Sequence, residues 1–280
     1  MIIDIFGGKL LQGGLVFQQN FLIRSYELGP DGKVSLMALV NRLQESALNH
    51  FRSVGLLANG FGSTQQMIRK DLRLMNEVER LPSWADVVQG ETWNSSSSGK
   101  KIIYDWLVRD YNSGETLIQG TSLYVMINKK TRRLSIVKEV YAEIEPHVMN
   151  CDPIISEDKK KLQQLDVDTA DYVRTGLVPL WNDLDINQHV NHVKYISWIL
   201  EVDPFVVPIR FFCLFFCVPL NAPHSILESH KLYVMTLEFR KECGRNSMLQ
   251  SLTVINRAGL SSHDFGVEFD HSLPTYEDAS

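Results

Sequence analysis

Residues 181–201 read WNDLDINQHVNHVKYISWILE, and in that stretch Asp183, Asp185, Asn187 and His189 stand just ahead of a long apolar run. Short side-chain oxygens accept the amide donors that a new helix leaves unpaired, so Asp183, Asp185 and Asn187 are the expected N-cap candidates. Val190, Val193, Ile196, Trp198, Ile199 and Leu200 make the following helix apolar on nearly every face, and such a helix must be buried. A buried helix N-terminus with open N–H groups and the positive end of the macrodipole can stabilise an oxyanion. His189, one residue ahead of the run, would set a titratable imidazole beside that spot. On helix chemistry alone, a histidine placed this way is more often a capping or hydrogen-bonded core residue than a catalyst.

The elements that would position these residues follow from periodicity. Residues 21–27 alternate as a strand does, Gly29-Pro30-Asp31-Gly32 makes a turn, and Leu36, Leu39, Val40, Leu43, Ala47, Phe51 and Val54 recur at helical spacing. Residues 87–93, 101–110 and 116–128 then read as long strands, joined by the serine-rich loop WNSSSSGKK and by Asn112-Ser113-Gly114. The same order recurs weakly in the second half: a strand running into Trp181, the apolar helix, and strands at 232–241 and 247–256. At 280 residues the chain has room for two such copies, here 1–150 and 169–280 with a polar linker at 151–168. The fold class is therefore α+β, with two central helices, each wrapped by an antiparallel sheet. The copies are chemically unequal, because Gly29 to Val34 of the first carries none of the polar set of Asp185 to His189.

A formal net charge of -5 argues against general nucleic-acid binding. Lys129, Lys130, Arg132 and Arg133 form one local basic cluster and residues 159–161 another; each fits either an acidic partner or an ordinary solvated turn. Cysteines at 151, 213, 217 and 243 form no CxxC pair, which fits a reduced compartment and no disulfide scaffold. His189 and His192 lack a nearby third ligand, so no metal is expected.

The 181–201 segment resembles the signature of plant acyl-acyl carrier protein thioesterases, approximately WxDLDxNQHVNNxxYxxWxLE, and its Trp181 and Lys194 resemble the saturated-acyl, FatB-type class. Further matches at 16–27, 43–57, 105–110, 129–135, 143–146, 169–172 and 235–253 extend the resemblance over most of the chain. It implies a tandem hotdog fold, with the acyl chain held by the first copy and catalysis in the second. It also implies hydrolysis of the acyl-acyl carrier protein thioester to free saturated fatty acid in plastids, without cofactor. The implied partner is the acylated carrier protein, and a homodimer is open to the fold because hotdog units commonly pair. By the same resemblance, Asn187 and His189 match catalytic positions, Asp185 a supporting one, and Glu268 in GVEFDH a catalytic glutamate. The family commonly has Cys after that glutamate. Here Phe269 stands there, so hydrolysis would proceed through water activated by Glu268 and not through an acyl-cysteine.

Four departures from the family accompany the match. The N-terminus MIIDIFGGKLLQGG does not read as the transit peptide of the family's plastid precursors, as expected for a mature form or a truncated start. Residues 71–84, DLRLMNEVERLPSW, are shorter than the family's segment, as though a strand were missing. The final strand expected beyond the Glu268 motif is absent as well. Residues 202–219, VDPFVVPIRFFCLFFCVP, interrupt the family pattern and resemble a translated intron end. The alternative these departures raise is a non-catalytic acyl-binding relative or a defective gene product. Phe205, Phe211, Phe212, Phe215 and Phe216 of the insert need an apolar home, and each left in water forfeits roughly 1.5 to 3 kcal/mol relative to burial. Deletion of 202–219 is expected to raise soluble yield and melting temperature; a lower melting temperature would show the insert to be part of the core.

Overall fold

A computed structural model describes residues 7–56, 67–96, 101–128, 130–131, 133–134, 142–156, 167–170, 172–185, 188–200, 234–238, 243–256 and 264–270, with only the backbone at some strand positions, among them 67–73 and 264–270. The strands are β1 (Gly8–Leu11), β2 (Val16–Leu22), β3 (Met67–Val78), β4 (Val87–Ser96), β5 (Lys101–Asp110), β6 (Thr116–Asn128), β7 (Tyr172–Leu177), β8 (Val234–Glu238), β9 (Leu249–Asn256) and β10 (Asp264–Asp270). They are accompanied by the α-helices α1 (Leu36–Ser53) and α2 (His192–Leu200), and residues 142–144 are helical as well. The chain forms two compact units: Met1–Lys159 with Leu232–Phe239, and Lys160–Lys231 with Arg240–Ser280.

In the first unit seven strands make one antiparallel sheet in the order β1-β2-β4-β5-β6-β3-β8. α1 starts where Ser35 Oγ accepts the amide of Ala38 at 3.2 Å, and it buries Leu36, Leu39, Val40, Leu43 and Ala47. The helix lies across β2 and β4. Gly90 permits this approach: a Cβ there would lie 2.9 Å from the Phe21 ring and 3.8 Å from Leu43. Tyr104, Trp106 and Val108 of β5 are buried, and the Tyr104 ring packs against Phe51 and His50 of α1. His50 Nε2 lies 2.8 Å from the carbonyl of Gly14, to which it can only donate, so Nδ1 accepts from the Tyr104 hydroxyl. Burial pushes the His50 pKa below its ordinary value, keeping this ring neutral.

Asp105, between Tyr104 and Trp106, points to the opposite sheet face. Its Oδ1 accepts the amide of Ile154 at 3.3 Å, Thr121 Oγ1 accepts that of Ile155 at 3.1 Å, and the Met149 amide reaches the carbonyl of Asn94 at 2.7 Å. Part of the expected linker 151–168 is therefore pinned to the first unit's sheet. Burial raises the Asp105 carboxyl above the usual carboxylate range, against the hydrogen bonds from Ser95, Thr121 and Ile154. In the second unit the described strands form a three-stranded antiparallel sheet in the order β10-β9-β7. α2 buries Val193, Tyr195, Ile196, Ser197, Trp198 and Ile199, as an apolar helix must.

Three expectations need correction. The strand read at 21–27 ends at Leu22 and gives way to a 3-10 turn at Ser25–Glu27, because the Glu27 carboxylate accepts the Arg24 amide at 2.8 Å and curls the chain. The segment 71–84, expected to lack a strand, carries most of one. β3 begins earlier, at Met67, and runs to Val78 between β6 and β8, with a register shift between Asp71 and Arg73. Its charged pattern hides a strand whose backbone is paired on both sides. The strand expected at 232–241 in the second copy is β8, which joins the first unit's sheet by pairing with β3. The insert at 202–219 and the segment after Asp270 lie outside the described residues.

Gly120 of β6 faces Trp106 so closely that a Cβ would fall 2.0 Å from the indole nitrogen and 2.6 Å from Asn76 Oδ1. Gly120→Ala is expected to lower stability by about 1 to 3 kcal/mol, the usual cost of overpacking, measured by denaturant unfolding.

Candidate active site

The loop before α2 is built from one buried carboxylate. Asp183 closes the 3-10 turn Trp181–Asp183; its Oδ2 accepts the Leu180 amide at 2.7 Å, and its Oδ1 lies 3.5 Å from Lys194 Nζ on the helix. The Asp183 carbonyl accepts the Asn191 amide at 2.8 Å, which fixes where the helix begins. Between these points the chain makes a tight excursion: the Asp185 amide donates to the His189 carbonyl at 2.7 Å, and Asp185 Oδ1 accepts the His189 amide at 3.1 Å. Gln188 turns the corner at φ 63°, the left-handed region. Leu184 bridges Val190, and His189 bridges Gly244 across the loop.

This geometry corrects the expected caps. Neither Asp183 nor Asp185 caps α2; Asn191 does, its Oδ1 accepting the Val193 amide at 3.1 Å and its carbonyl the Lys194 amide at 2.8 Å. Two amides of the first turn are therefore already engaged and are not open oxyanion donors. His189 sits three residues ahead of the helix in a bridged loop, held by backbone pairing and not by the helix. Asn187 lies outside the described residues.

The first unit repeats the backbone bonds of this frame at a constant shift along the chain. The turn Ser25–Glu27 matches Trp181–Asp183, and the Glu27 carboxylate accepts the Arg24 amide as Asp183 accepts that of Leu180. The Gly29 amide donates to Lys33 O at 2.7 Å, the Ser35 amide to Glu27 O at 2.8 Å, and Gly32 takes positive φ where Gln188 does. Lys33 bridges Ser83 as His189 bridges Gly244. Facing turns match too: the Asp86 amide donates to Ser83 O, and the Ser247 amide to Gly244 O.

What differs is the load. Gly29 and Lys33 stand where Asp185 and His189 stand in the second unit, and by the same shift in sequence Asp31 corresponds to Asn187. Lys33 Nζ donates to Ser83 Oγ at 2.8 Å, whereas Gly244, opposite His189, has no side chain. β10 pairs with β9 so that Glu268 lies opposite Leu252, in a hairpin of the same register as that pairing Leu107 of β5 with Glu91 of β4. Counted from Gly244 and Ser83, the first copy thus has Leu107 where the second has Glu268. His189 and Glu268 are both backbone neighbours of one segment, residues 243–256, His189 opposite Gly244 and Glu268 opposite Leu252.

Around this frame, Cys243 and Tyr195 are buried, and the carbonyl of Cys243 accepts the Val190 amide at 2.7 Å. Burial pushes the Cys243 thiol up to about 11 and raises the Tyr195 phenol, so both stay protonated at neutral pH. Sequence reasoning missed Asn191 and Gly244. The signal was present: aligning the two copies places Asn191 on the capping Ser35 and Gly244 on Ser83.

Comparison with known proteins matches residues 14–144 to the acyl-ACP thioesterase N-terminal domain and residues 166–209 to the acyl-ACP thioesterase C-terminal domain. A palmitoyl-acyl carrier protein thioesterase, chloroplastic, from Arabidopsis thaliana is 51% identical over 262 residues, covering 91% of this chain and 59% of that protein. The protein of the same name from Gossypium hirsutum is 52% identical over 263 residues, again covering 91% of this chain and 59% of its own length. The chain thus spans somewhat over half the length of these relatives. The solved structure of the 12:0-ACP thioesterase from Umbellularia californica is similar at TM-score 0.81 and 39% identity, covering 96% of this chain and 94% of that one. The fold is that of the hotdog thioesterases.

Gln188 holds a left-handed conformation that the first copy gives to Gly32, and such a conformation costs a non-glycine residue roughly 1 to 2 kcal/mol. Gln188→Gly is expected to leave stability unchanged or raise it by up to about 1 kcal/mol, after the greater freedom of glycine in the unfolded chain. Equilibrium unfolding checks this, and a loss above that range would show that the Gln188 side chain holds the loop.

Proposed function

Because the chain belongs to the acyl-ACP thioesterase family, we propose that it hydrolyses the thioester of a saturated acyl-acyl carrier protein to free fatty acid and carrier thiol in plastids. The observation that carries the reading is the unequal duplication. One backbone frame carries Gly29, Lys33 and Leu107 in the first unit and Asp185, His189 and Glu268 at the matching positions of the second, and in sequence Asp31 corresponds to Asn187. The first unit closes the same frame without an imidazole or that glutamate, so we assign their presence in the second to chemistry. The first unit is assigned the acyl-chain preference.

In this mechanism the Glu268 carboxylate takes a proton from water while the hydroxyl oxygen attacks the thioester carbon. The oxyanion so formed is held by the Asn187 amide group and neighbouring backbone N–H groups. Collapse breaks the C–S bond, and the departing thiolate takes a proton that Glu268 or His189 delivers. Asp185, through its hydrogen bond to the His189 amide, keeps the loop that carries the imidazole in shape. Phe269 has no nucleophilic atom, and the Cys243 thiol, held protonated by burial, is a poor one; both facts support direct attack by water.

Incubation of the purified chain with acyl-acyl carrier protein should release free fatty acid, and absence of release would sink the proposal. Glu268→Gln should cut turnover by about two to four powers of ten, the usual worth of a general base, with substrate affinity nearly unchanged. Phe269→Cys should stay near the parent rate. A trapped acyl-cysteine in that variant, with a faster reaction, would replace water activation by the covalent route.

A further inference from the structure

Trp181 and Arg245 meet beside the candidate site. The Arg245 guanidinium carbon lies 5.6 Å from the centroid of the Trp181 ring, and both residues are exposed, Trp181 by 66%. Trp181 opens the turn whose last residue, Asp183, anchors the loop. Arg245 follows Gly244, the residue that bridges His189. Across an antiparallel bridge the two Cα atoms are about 5 Å apart, so the guanidinium is rooted one residue from the imidazole's own backbone partner.

Among the described residues Arg245 has the indole as its partner and no carboxylate within ion-pair distance. That matters chemically. A cation–π contact uses none of the guanidinium N–H donors as hydrogen bonds, so they stay free for a second partner. A planar fork of donors with no acceptor of its own suits an anionic oxygen group, above all a phosphate, which it can bind through two parallel hydrogen bonds. Leu180 and Val178, 44% and 42% exposed, give the pair an apolar flank along the chain.

Internal comparison ties the pair to the site. At the matching positions of the first unit stand Ser25 and Trp84, so the copy without the Asp, Asn and His set also lacks the stacked cation. Its Trp84 is equally exposed at 66% but has no arginine at the matching place. Exposed cation–π pairs are worth only about 0.5 to 1 kcal/mol, too little to make this one a structural necessity of the turn.

We propose that Arg245, seated on Trp181, binds the phosphate of the phosphopantetheine arm that carries the thioester. The identity of the anion rests on the carrier-thioester reading above; the geometry of an unspent guanidinium beside the His189 loop does not. Arg245 then acts in binding, gripping the outer part of the arm while the thioester reaches the site.

The test uses two ligands that cannot be hydrolysed, the S-dodecyl thioethers of phosphopantetheine and of pantetheine, with dissociation constants measured by calorimetry on the full chain. The parent should bind the phosphorylated ligand about tenfold more tightly, as one charge-assisted bidentate contact allows. Arg245→Gln should bring the two within twofold while leaving pantetheine binding in place, Arg245→Lys should keep part of the difference, and Trp181→Leu should weaken it. Equal binding of both ligands by the parent overturns the inference, as does discrimination that survives Arg245→Gln. Equal weakening of both ligands in Arg245→Gln, with a lower melting temperature, would mark the residue as structural and also overturn it. Carrier protein with and without its arm separates the other anion source: equal loss for both forms would assign Arg245 to carboxylates on the carrier and overturn the phosphate. Because the ligands are not turned over, a chain that discriminates phosphate yet releases no fatty acid keeps this inference and loses the activity.

Discussion

A carboxylate buried at the end of a one-turn 3-10 helix organises each unit. Glu27 and Asp183 are both shielded from water, and an ionised carboxylate in that position is costly unless its oxygens are matched. Each therefore takes a backbone amide from three residues earlier and a cation from the following helix. Glu27 receives Arg42 through both oxygens at 2.6 and 2.8 Å, and Asp183 receives Lys194. Burial by itself would raise the Glu27 carboxyl, but the bonds from Arg42 and Arg24 outweigh it and hold the group below the usual range. Meeting these demands sets the direction in which the chain leaves the turn and the point at which the helix begins.

From that anchor the rest of the loop has little freedom. The carbonyl of the same acidic residue takes the amide of the helix cap, Ser35 or Asn191, and the chain between must close on itself, Gly29 on Lys33 and Asp185 on His189. It does so with one residue in the left-handed region and a bridge to the turn ahead of the next long strand. The backbone bonds close in both copies independently of which side chain lends a further oxygen, Asp31 to the Lys33 amide in one and Asp185 to the His189 amide in the other. That independence is what lets one copy carry glycine, aspartate and lysine and the other aspartate, asparagine and histidine on the same frame. The polar set of the second unit thus stands on a backbone motif anchored by the buried carboxylate.

The first unit shows the other use of buried polar groups. Asp105 and Thr121 hold the amides of Ile154 and Ile155, so the chain leaves the large sheet from a defined point. His50, with a neutral ring fixed between Gly14 and Tyr104, closes the end of α1 against β5. Burial disfavours the charged form of both groups, raising the Asp105 carboxyl and lowering the His50 imidazole, and both work as fixed hydrogen-bond partners.

Much of this was determined by sequence alone. The apolar stripes of α1 and α2, the three long strands β4, β5 and β6, and the duplication follow from periodicity and turn chemistry, because each is a local pattern. Only the tertiary structure decided where non-local bonds fall. β3 is charged along its length and is a strand because β6 and β8 pair it from either side. β8, late in the chain, belongs to the sheet of the first unit because its partner β3 is there. The acids expected to cap α2 were drawn off by backbone groups of the turn and loop, leaving Asn191 to cap it. Whether a side chain caps, bridges or pairs depends on which partner the fold brings within hydrogen-bonding distance, and spacing along the chain does not encode that.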